Sequence, residues 1–176
     1  MSWRLKISET GLLVVDVQEK LVAAVKEPEG WVDRVEILVK AAKLLEMPMA
    51  ITEQVPAKLG KTVAPVLQAA GKGSPVSKTS FSAVEAGKAL GRKKVLVVGC
   101  EAHVCVRQTV YDLRLKEVQP VLVADAVGSR READRQLALQ EMRHDGIVIA
   151  STEAVLFELL ETSEHPKFKE IQGLVK

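Results

Sequence analysis

Short, largely apolar runs recur along the chain, and each run stops at a polar residue or a turn signal. Apolar runs of this length are typical of strands that are covered on both faces, as in a parallel sheet. The pattern therefore predicts six strands, over residues 11–15, 49–51, 75–77, 93–98, 121–124 and 147–149.

The stretches between these runs carry apolar residues at helical spacing. From Trp31 to Leu45 they recur every three or four residues, which indicates an amphipathic helix that faces a core. Similar spacing predicts helices over residues 19–26, 63–70, 83–90, 105–116, 131–143, 152–160 and 166–174, whereas residues 52–60 are predicted as a loop. Parallel neighbours need crossover connections, and the helices supply them. The sequence thus predicts an α/β fold of three layers (αβα), with a doubly wound, six-stranded parallel sheet in a single domain over residues 1–176.

The composition limits the classes of protein to which this chain can belong. Apolar residues make up 47% and charged residues 27% of the 176 residues, as in globular domains. The 25 basic and 23 acidic residues are well mixed, so neither nucleic-acid binding nor membrane binding is indicated. No apolar run is long enough to span a bilayer, and residues 1–6 lack the apolar core of a signal peptide. We therefore expect a cytoplasmic protein.

Three reactive side chains follow predicted strands at the carboxyl edge, where open parallel sheets bind ligands. Asp16 follows the first strand, Lys78 follows the third, and Cys105 lies just beyond the fourth. Cys105 also lies where a helix is predicted to begin, and the unpaired N–H groups and dipole of a helix start favour a thiolate. A carboxylate can take a thiol proton while an ammonium group stabilises both charges. These residues thus predict a nucleophile, a base and an electrostatic support.

Structural explanations of the same residues stay open. Cys105 could be a buried, inert thiol, Asp16 a polar residue that ends a strand, and Lys78 a solvated lysine. Asp125, after the fifth strand, fits a strand end or a helix cap better than a catalytic role. His103 precedes Cys105 by two residues. Side chains so near to each other in a turn point in different directions, which argues against a catalytic Cys–His pair.

Three spaced segments resemble one known family in the expected order. They are Val14-Val-Asp-Val-Gln18, Ser77-Lys-Thr-Ser-Phe-Ser82 and Gly99-Cys-Glu-Ala-His-Val-Cys-Val106, with later support at residues 125–126 and 129–130. From about residue 10 to its last helix, the chain is similar to the isochorismatase-like cysteine hydrolases. Within that superfamily it most resembles the small isochorismatase domain-containing proteins.

The resemblance implies a strand order of 3-2-1-4-5-6 and a catalytic triad. The triad comprises Asp16, Lys78 and Cys105. The resemblance also implies a cis peptide between Cys100 and Glu101 that aims N–H groups at an oxyanion site. A homo-oligomer is implied as well.

Further residues are expected around the triad. The N–H of Val104, beside that of the nucleophile, is expected to bind the oxyanion. The substrate pocket is expected to include Gln18, Glu53, Phe81 and His103. We expect Phe81 to provide apolar contact to a small, uncharged or weakly polar acyl compound.

Departures from better-known relatives narrow the expected chemistry. Nicotinamidases carry histidines after the second strand that bind a metal, whereas residues 52–56 contain none, and Glu53 is the only carboxylate there. We therefore expect neither a metal nor another cofactor. True isochorismatases tend to lack a nucleophilic cysteine, whereas Cys105 is present. The sequence thus predicts a cysteine hydrolase that cleaves an amide or related acyl bond through a Cys105 thioester.

Two other functions stay open. The chain could be a binding module that keeps the fold without turnover, because a fold does not determine a function. It could also be a thiol redox protein that uses Cys100 and Cys105. Their spacing is wider than in a C-x-x-C motif, and Cys100 is expected at the buried end of a strand.

Overall fold

The computed structural model describes residues 4–25, 27–71 and 73–176, and its centre is one parallel sheet. The strands are β1 (Thr10–Val15), β2 (Met49–Gln54), β3 (Val76–Lys78), β4 (Lys94–Cys100), β5 (Gln119–Gly128) and β6 (Val148–Ala150). Their order is β3-β2-β1-β4-β5-β6, and every adjacent pair is parallel. The predicted sheet and strand order are thereby confirmed.

Helices connect the strands in turn. They are α1 (Glu19–Ala24), α2 (Trp31–Leu44), α3 (Pro56–Leu59), α4 (Ala64–Ala70), α5 (Val84–Ala89), α6 (Arg107–Leu115), α7 (Glu132–His144), α8 (Thr152–Leu160) and α9 (Phe168–Val175). A 3₁₀ turn (Ile7–Glu9) precedes β1, and a π-helical turn (Ala102–Val106) leads into α6. Within the described ranges, none of the helices has the length and apolarity needed to cross a membrane. Residue 26, where the first predicted helix ends, and residues 1–3 lie outside the described residues.

The apolar side chains form two cores on opposite faces of the sheet. In β1, Leu12 and Val14 pack in one core, whereas Leu13 and Val15 pack in the other, because successive side chains of a strand alternate. Both β1 and β4 are buried along their whole length, as the apolar runs predict. Helices α2, α8 and α9 cover the first core, and α5, α6 and α7 cover the second. The three layers of the predicted fold follow from this arrangement.

Two strands extend beyond their predicted ends. Residues 52–54 are predicted as a loop, but they belong to β2, where their backbone pairs with β3. Strand β5 likewise continues past residue 124 to Gly128 and includes Asp125. Asp125 Oδ1 accepts hydrogen bonds from the N–H and the hydroxyl of Thr152, so this carboxylate links β5 to the start of α8. Polar residues are accommodated in both strands because neighbouring strands hydrogen-bond to their backbone N–H and carbonyl groups.

Gly99 allows β4 to approach β1 closely at the carboxyl edge. Its φ is 118°, and a Cβ atom at this position would lie 2.0 Å from the Val15 carbonyl oxygen. Only glycine fits such a place. The next peptide, between Cys100 and Glu101, is cis, as the family resemblance implies. The end of β4 therefore lies against the segment that follows β1.

Candidate active site

Asp16 follows β1 directly and is fully buried at the carboxyl edge of the sheet. Its φ of 51° is in the left-handed region, which Asp and Asn tolerate better than most residues. The Thr52 hydroxyl donates to Oδ1 at 2.8 Å, and Lys78 Nζ donates to Oδ2 at 2.6 Å. Both carboxylate oxygens are therefore hydrogen-bonded, and an ammonium group compensates the buried charge.

Lys78 ends β3, and only 9% of its side chain is exposed. Besides Asp16, its ammonium group donates to Gln54 Oε1 (2.8 Å) and to the carbonyl oxygens of Ser80 (3.1 Å) and Phe81 (2.9 Å). A buried ion pair is tolerated when further hydrogen bonds satisfy its remaining polar groups, and Lys78 meets that condition. The alternative of a solvated lysine is therefore wrong.

Cys105 lies in the π-helical turn and is only 6% exposed. Burial, then the Asp16 charge and a hydrogen bond to Asp16, raise the pKa of the thiol to about 12, although the Lys78 charge lowers it. Burial and the carboxylate thus outweigh the ammonium group, and the helix start expected to favour a thiolate lies two residues further on, where α6 begins. The resting site holds the proton on sulfur, beside a carboxylate that can accept it.

Cys100, the other cysteine, is fully buried and faces away from solvent. Its Sγ donates to the Asp16 carbonyl oxygen at 3.1 Å. Burial raises the pKa of this thiol well above its ordinary value. Both cysteines are free thiols. A fully buried, protonated thiol is a poor partner for a redox pair, because the thiolate is the reactive form.

One expected oxyanion donor has a partner in the resting site. The Val104 N–H donates to the Glu101 carbonyl oxygen at 3.1 Å, so it is not directed at a ligand as expected. The side-chain carboxylate of Glu101, as distinct from its peptide N–H, accepts a hydrogen bond from the N–H of Arg130 at 3.0 Å and lies 3.2 Å from Arg130 Nε. The geometry of the π-helical turn, which closes on the Glu101 carbonyl group, explains why the Val104 N–H is occupied.

Two expected pocket residues hold the backbone instead. Gln18 Nε2 donates to the carbonyl oxygens of Gln54 (3.1 Å) and Gly60 (2.7 Å), and Gln18 Oε1 accepts from the N–H of Gln54 at 2.7 Å. Glu53 Oε1 accepts from the N–H and the hydroxyl of Thr62, at 2.7 and 2.8 Å. Neither side chain hydrogen-bonds to the side chains of Asp16, Lys78 or Cys105. Buried amides and carboxylates must find such partners, and backbone groups provided them.

The other two expected pocket residues lie at the margin of the site. His103 Nδ1 is 3.0 Å from the Ser129 hydroxyl, and Nε2 is 4.0 Å from the Asp134 carboxylate. The histidine therefore contacts Ser129, just after β5, and α7 rather than Cys105, in keeping with the expectation from its spacing. Phe81 lies on the surface with 53% of its area exposed.

Thr52 and Gln54 lie in the stretch predicted as a loop, where Gln54 could line the pocket, yet both bind the triad directly. Thr52 holds Asp16, and Gln54 holds Lys78. Residues two apart on a strand share a face. Extending the predicted second strand by three residues would therefore have indicated that Thr52 and Gln54 point to the same side of the sheet. Their polarity masked that signal, because it resembles the start of a loop.

Two cavities open beside Lys78. One, of about 570 Å³, lies between residues 55–57 and 77–80. The other, of about 420 Å³, is lined by Thr52, Lys78, Asp112 and several residues from 76 to 86. Each is large enough for a small organic molecule. Across the described residues, no group of three or more His, Cys, Asp or Glu side chains is placed to hold a metal ion.

The parallel fold, with a thiol, a carboxylate and a lysine at its carboxyl edge, defines an isochorismatase-like class of protein. The sequence matches the Isochorismatase domain over residues 10–154, and the chain belongs to that family. This confirms the resemblance and supports a hydrolase role.

Individual relatives agree with this assignment. Isochorismatase domain-containing protein 2 of Danio rerio is 38% identical over 178 residues, which cover 98% of this chain and 89% of that protein. Isochorismatase domain-containing protein 1 of Salmo salar is 37% identical over 167 residues, covering 92% of this chain and 59% of that protein. A solved structure of MAR1 ribonuclease from Caenorhabditis elegans is 36% identical, with a TM-score of 0.92 and coverage of 98% and 92%.

Proposed function

We propose that this protein is a cysteine hydrolase that cleaves a C–N amide or related acyl bond of a small molecule through a thioester on Cys105. Family membership supports hydrolysis. One observation carries the rest of the proposal: the Asp16 carboxylate, which Lys78 holds at 2.6 Å, acts on the buried Cys105 thiol and raises its pKa. This arrangement suits general base catalysis of thiol attack.

In the first half-reaction, the Cys105 sulfur attacks the acyl carbon while the thiol proton moves to Asp16. A sulfur–carbon bond forms, and the carbonyl electron pair moves to oxygen. When the intermediate collapses, the carbon–nitrogen bond breaks and the leaving nitrogen takes the proton from Asp16. An amine or ammonia departs, and the acyl group stays on Cys105 as a thioester.

In the second half-reaction, Asp16 takes a proton from water as the water oxygen attacks the thioester. The sulfur–carbon bond then breaks, the sulfur recovers the proton from Asp16, and the acid is released. Lys78 compensates negative charge on the carboxylate or the sulfur at every stage. Because all four of its acceptors are protein groups, Lys78 supports the chemistry without binding the substrate.

The oxyanion is proposed to bind the N–H of Cys105 and the N–H of the cis peptide between Cys100 and Glu101. The N–H of Val104 joins them only if it leaves the Glu101 carbonyl oxygen. Donors held in a turn suit this role, since they need no reorganisation when charge develops.

Catalysis is proposed to proceed without a metal ion or another cofactor. The polar residues at the end of β2 support this view, because Thr52 and Gln54 bind Asp16 and Lys78, and Glu53 binds Thr62. We expect chelator-treated protein to keep its full activity. A loss of activity that zinc restores would contradict the proposal.

The central experiment is a panel of small primary and secondary amides, assayed with the wild type and with Cys105→Ala. Esters and an RNA substrate belong in the panel, since one solved relative is called a ribonuclease. We expect amide hydrolysis by the wild type only, and an acyl adduct on the Cys105 peptide by mass spectrometry. Equal turnover by both proteins would overturn the thioester mechanism. No turnover by either would favour the binding module.

We also propose a cytoplasmic homo-oligomer. Two exposed leucines support an association surface: Leu115 on α6 is 79% exposed and Leu137 on α7 is 66% exposed. Light scattering at micromolar protein should give a mass well above that of one chain. A monomer of 19.2 kDa would contradict this part of the proposal.

A further inference from the structure

Gln54 lies where three parts of the site meet, and the triad chemistry does not use it. Its Oε1 accepts from Lys78 Nζ at 2.8 Å, and its Nε2 donates to the Thr79 carbonyl oxygen at 2.8 Å. The Gln18 side chain binds both the N–H and the carbonyl group of Gln54. The residue is thus fixed at its backbone and bound at both side-chain ends.

The loop after β3 depends on the same junction. The carbonyl oxygens of three consecutive residues turn inward: Gln54 binds that of Thr79, and Lys78 binds those of Ser80 and Phe81. The aromatic side chain of Phe81 remains on the surface of this loop. The side chains of Gln54 and Lys78 therefore hold the carbonyl groups of residues 79–81 toward the site.

Lys78 has more acceptors than it has protons to donate. An ammonium group carries three N–H donors, whereas four oxygens lie within 3.1 Å of this one. Asp16 and Gln54 lie on or next to strands, whereas Ser80 and Phe81 belong to the loop. Without the Gln54 oxygen, the Lys78 ammonium group donates more often to the loop carbonyl groups and less often to Asp16.

We propose that Gln54 is a positioning residue that holds the Lys78 ammonium group against Asp16 and folds residues 79–81 over the active site. The effect of Gln54 on turnover rests on the proposed function. Its two physical effects, on the loop and on the charge beside Cys105, can be measured without a substrate.

The loop is tested by limited proteolysis. Chymotrypsin cleaves after exposed aromatic residues, and the product of cleavage after Phe81 can be identified by mass spectrometry. We expect Gln54→Met to accelerate this cleavage by about tenfold, because the loop opens more often. Gln68→Met, on the exposed face of α4, is the matched control and should cleave at the wild-type rate. Equal rates for all three proteins would overturn the loop role.

The charge beside Cys105 is tested by alkylation of that thiol with iodoacetamide as a function of pH. The Asp16→Asn background is used, because losing the carboxylate removes a charge that raises the thiol pKa. Adding Gln54→Met should raise the inflection by about one pH unit, since a displaced ammonium group lowers the thiol pKa less. An inflection that does not move would overturn the positioning of Lys78.

Gln54→Glu separates the two effects. It keeps an acceptor for Lys78 but places a carboxylate against the Thr79 carbonyl oxygen. The new carboxylate also brings a negative charge near Cys105, which by itself raises the thiol pKa, so this variant is assayed by proteolysis alone. We expect cleavage after Phe81 to be as fast as in Gln54→Met, because the loop loses its donor although Lys78 keeps an acceptor. Cleavage at the wild-type rate would overturn the role of the Gln54 amide group in the loop. A negative amide panel affects neither measurement, so failure of the proposed function is seen separately.

Discussion

Two lysine–carboxylate pairs lie at opposite edges of the sheet. Lys78 and Asp16 meet at the carboxyl edge at 2.6 Å, with side chains that are 9% and 0% exposed. Lys93 and Glu9 meet at the amino edge at 2.9 Å, with side chains that are 78% and 32% exposed. The residue types and the distances in the two pairs are nearly the same, so the pairs differ mainly in their exposure to solvent.

The comparison shows how burial gives an ion pair a chemical role. At the amino edge, the hydrogen bond and charge of Lys93 lower the pKa of Glu9, but water and salt screen the pair. At the carboxyl edge the charges cannot rely on water, so fixed protein groups hold them. The Cys105 thiol lies within that unscreened field, and its protonation depends on both partners.

Removing the buried carboxylate is expected to have the largest effect. Asp16→Asn keeps a residue that tolerates the backbone at φ 51°, but it removes the base, so turnover should fall by about 10³-fold. The same change removes a charge and an acceptor that raise the thiol pKa. Alkylation of Cys105 by iodoacetamide should therefore inflect at a lower pH than in the wild type. Unchanged turnover, or an inflection no lower than that of the wild type, would refute the assigned base.

Removing the buried ammonium group is expected to have the next largest effect. Lys78→Met leaves the Asp16 charge buried without its partner, and such losses cost about 3–5 kcal/mol of the free energy of unfolding. Urea denaturation measures this cost. Combining the change with Asp16→Asn should recover part of the loss, because the uncompensated charge is then gone. A double variant as unstable as the sum of the single variants would contradict this account.

The second thiol offers a smaller test of the same site. In Cys100→Ser the hydroxyl can still donate to the Asp16 carbonyl oxygen, so we expect turnover within about twofold of wild type and a stability loss of about 1 kcal/mol. Amide turnover and urea denaturation measure the two effects. Loss of activity here, with the fold retained, would favour the dithiol mechanism.

Breaking the exposed pair is expected to have the smallest effect. Lys93→Met should leave the midpoint of thermal unfolding at pH 7 unchanged within error, in contrast to Lys78→Met. Because the folded-state pKa of Glu9 is lowered, any contribution of the pair exists above the ordinary pKa of 4.5 and disappears as the pH falls through the lower folded value. A clear loss of stability at pH 7 and physiological salt would show that exposure is not the deciding difference.

Much of the site could be predicted because the signal was local. The apolar runs that became β1 and β4 end next to Asp16 and close to Cys105, so the carboxyl edge of the sheet was visible in the sequence. Gln18 and Glu53 were harder to interpret. Their backbone partners, such as Gly60 and Thr62, come from a loop whose path depends on the whole fold.

The amino-acid sequence by itself determined the six strands, the helices between them except α3, which lies in a stretch predicted as a loop, and the three reactive residues. Hydrophobic periodicity acts over a few neighbouring residues, whereas α3 is a single turn of four residues. Only the tertiary structure decided that the Cys105 proton rests on sulfur and that Gln54 holds Lys78. Burial and electrostatic interaction depend on distance in space, and these groups come from four separate strands and the turns that follow them.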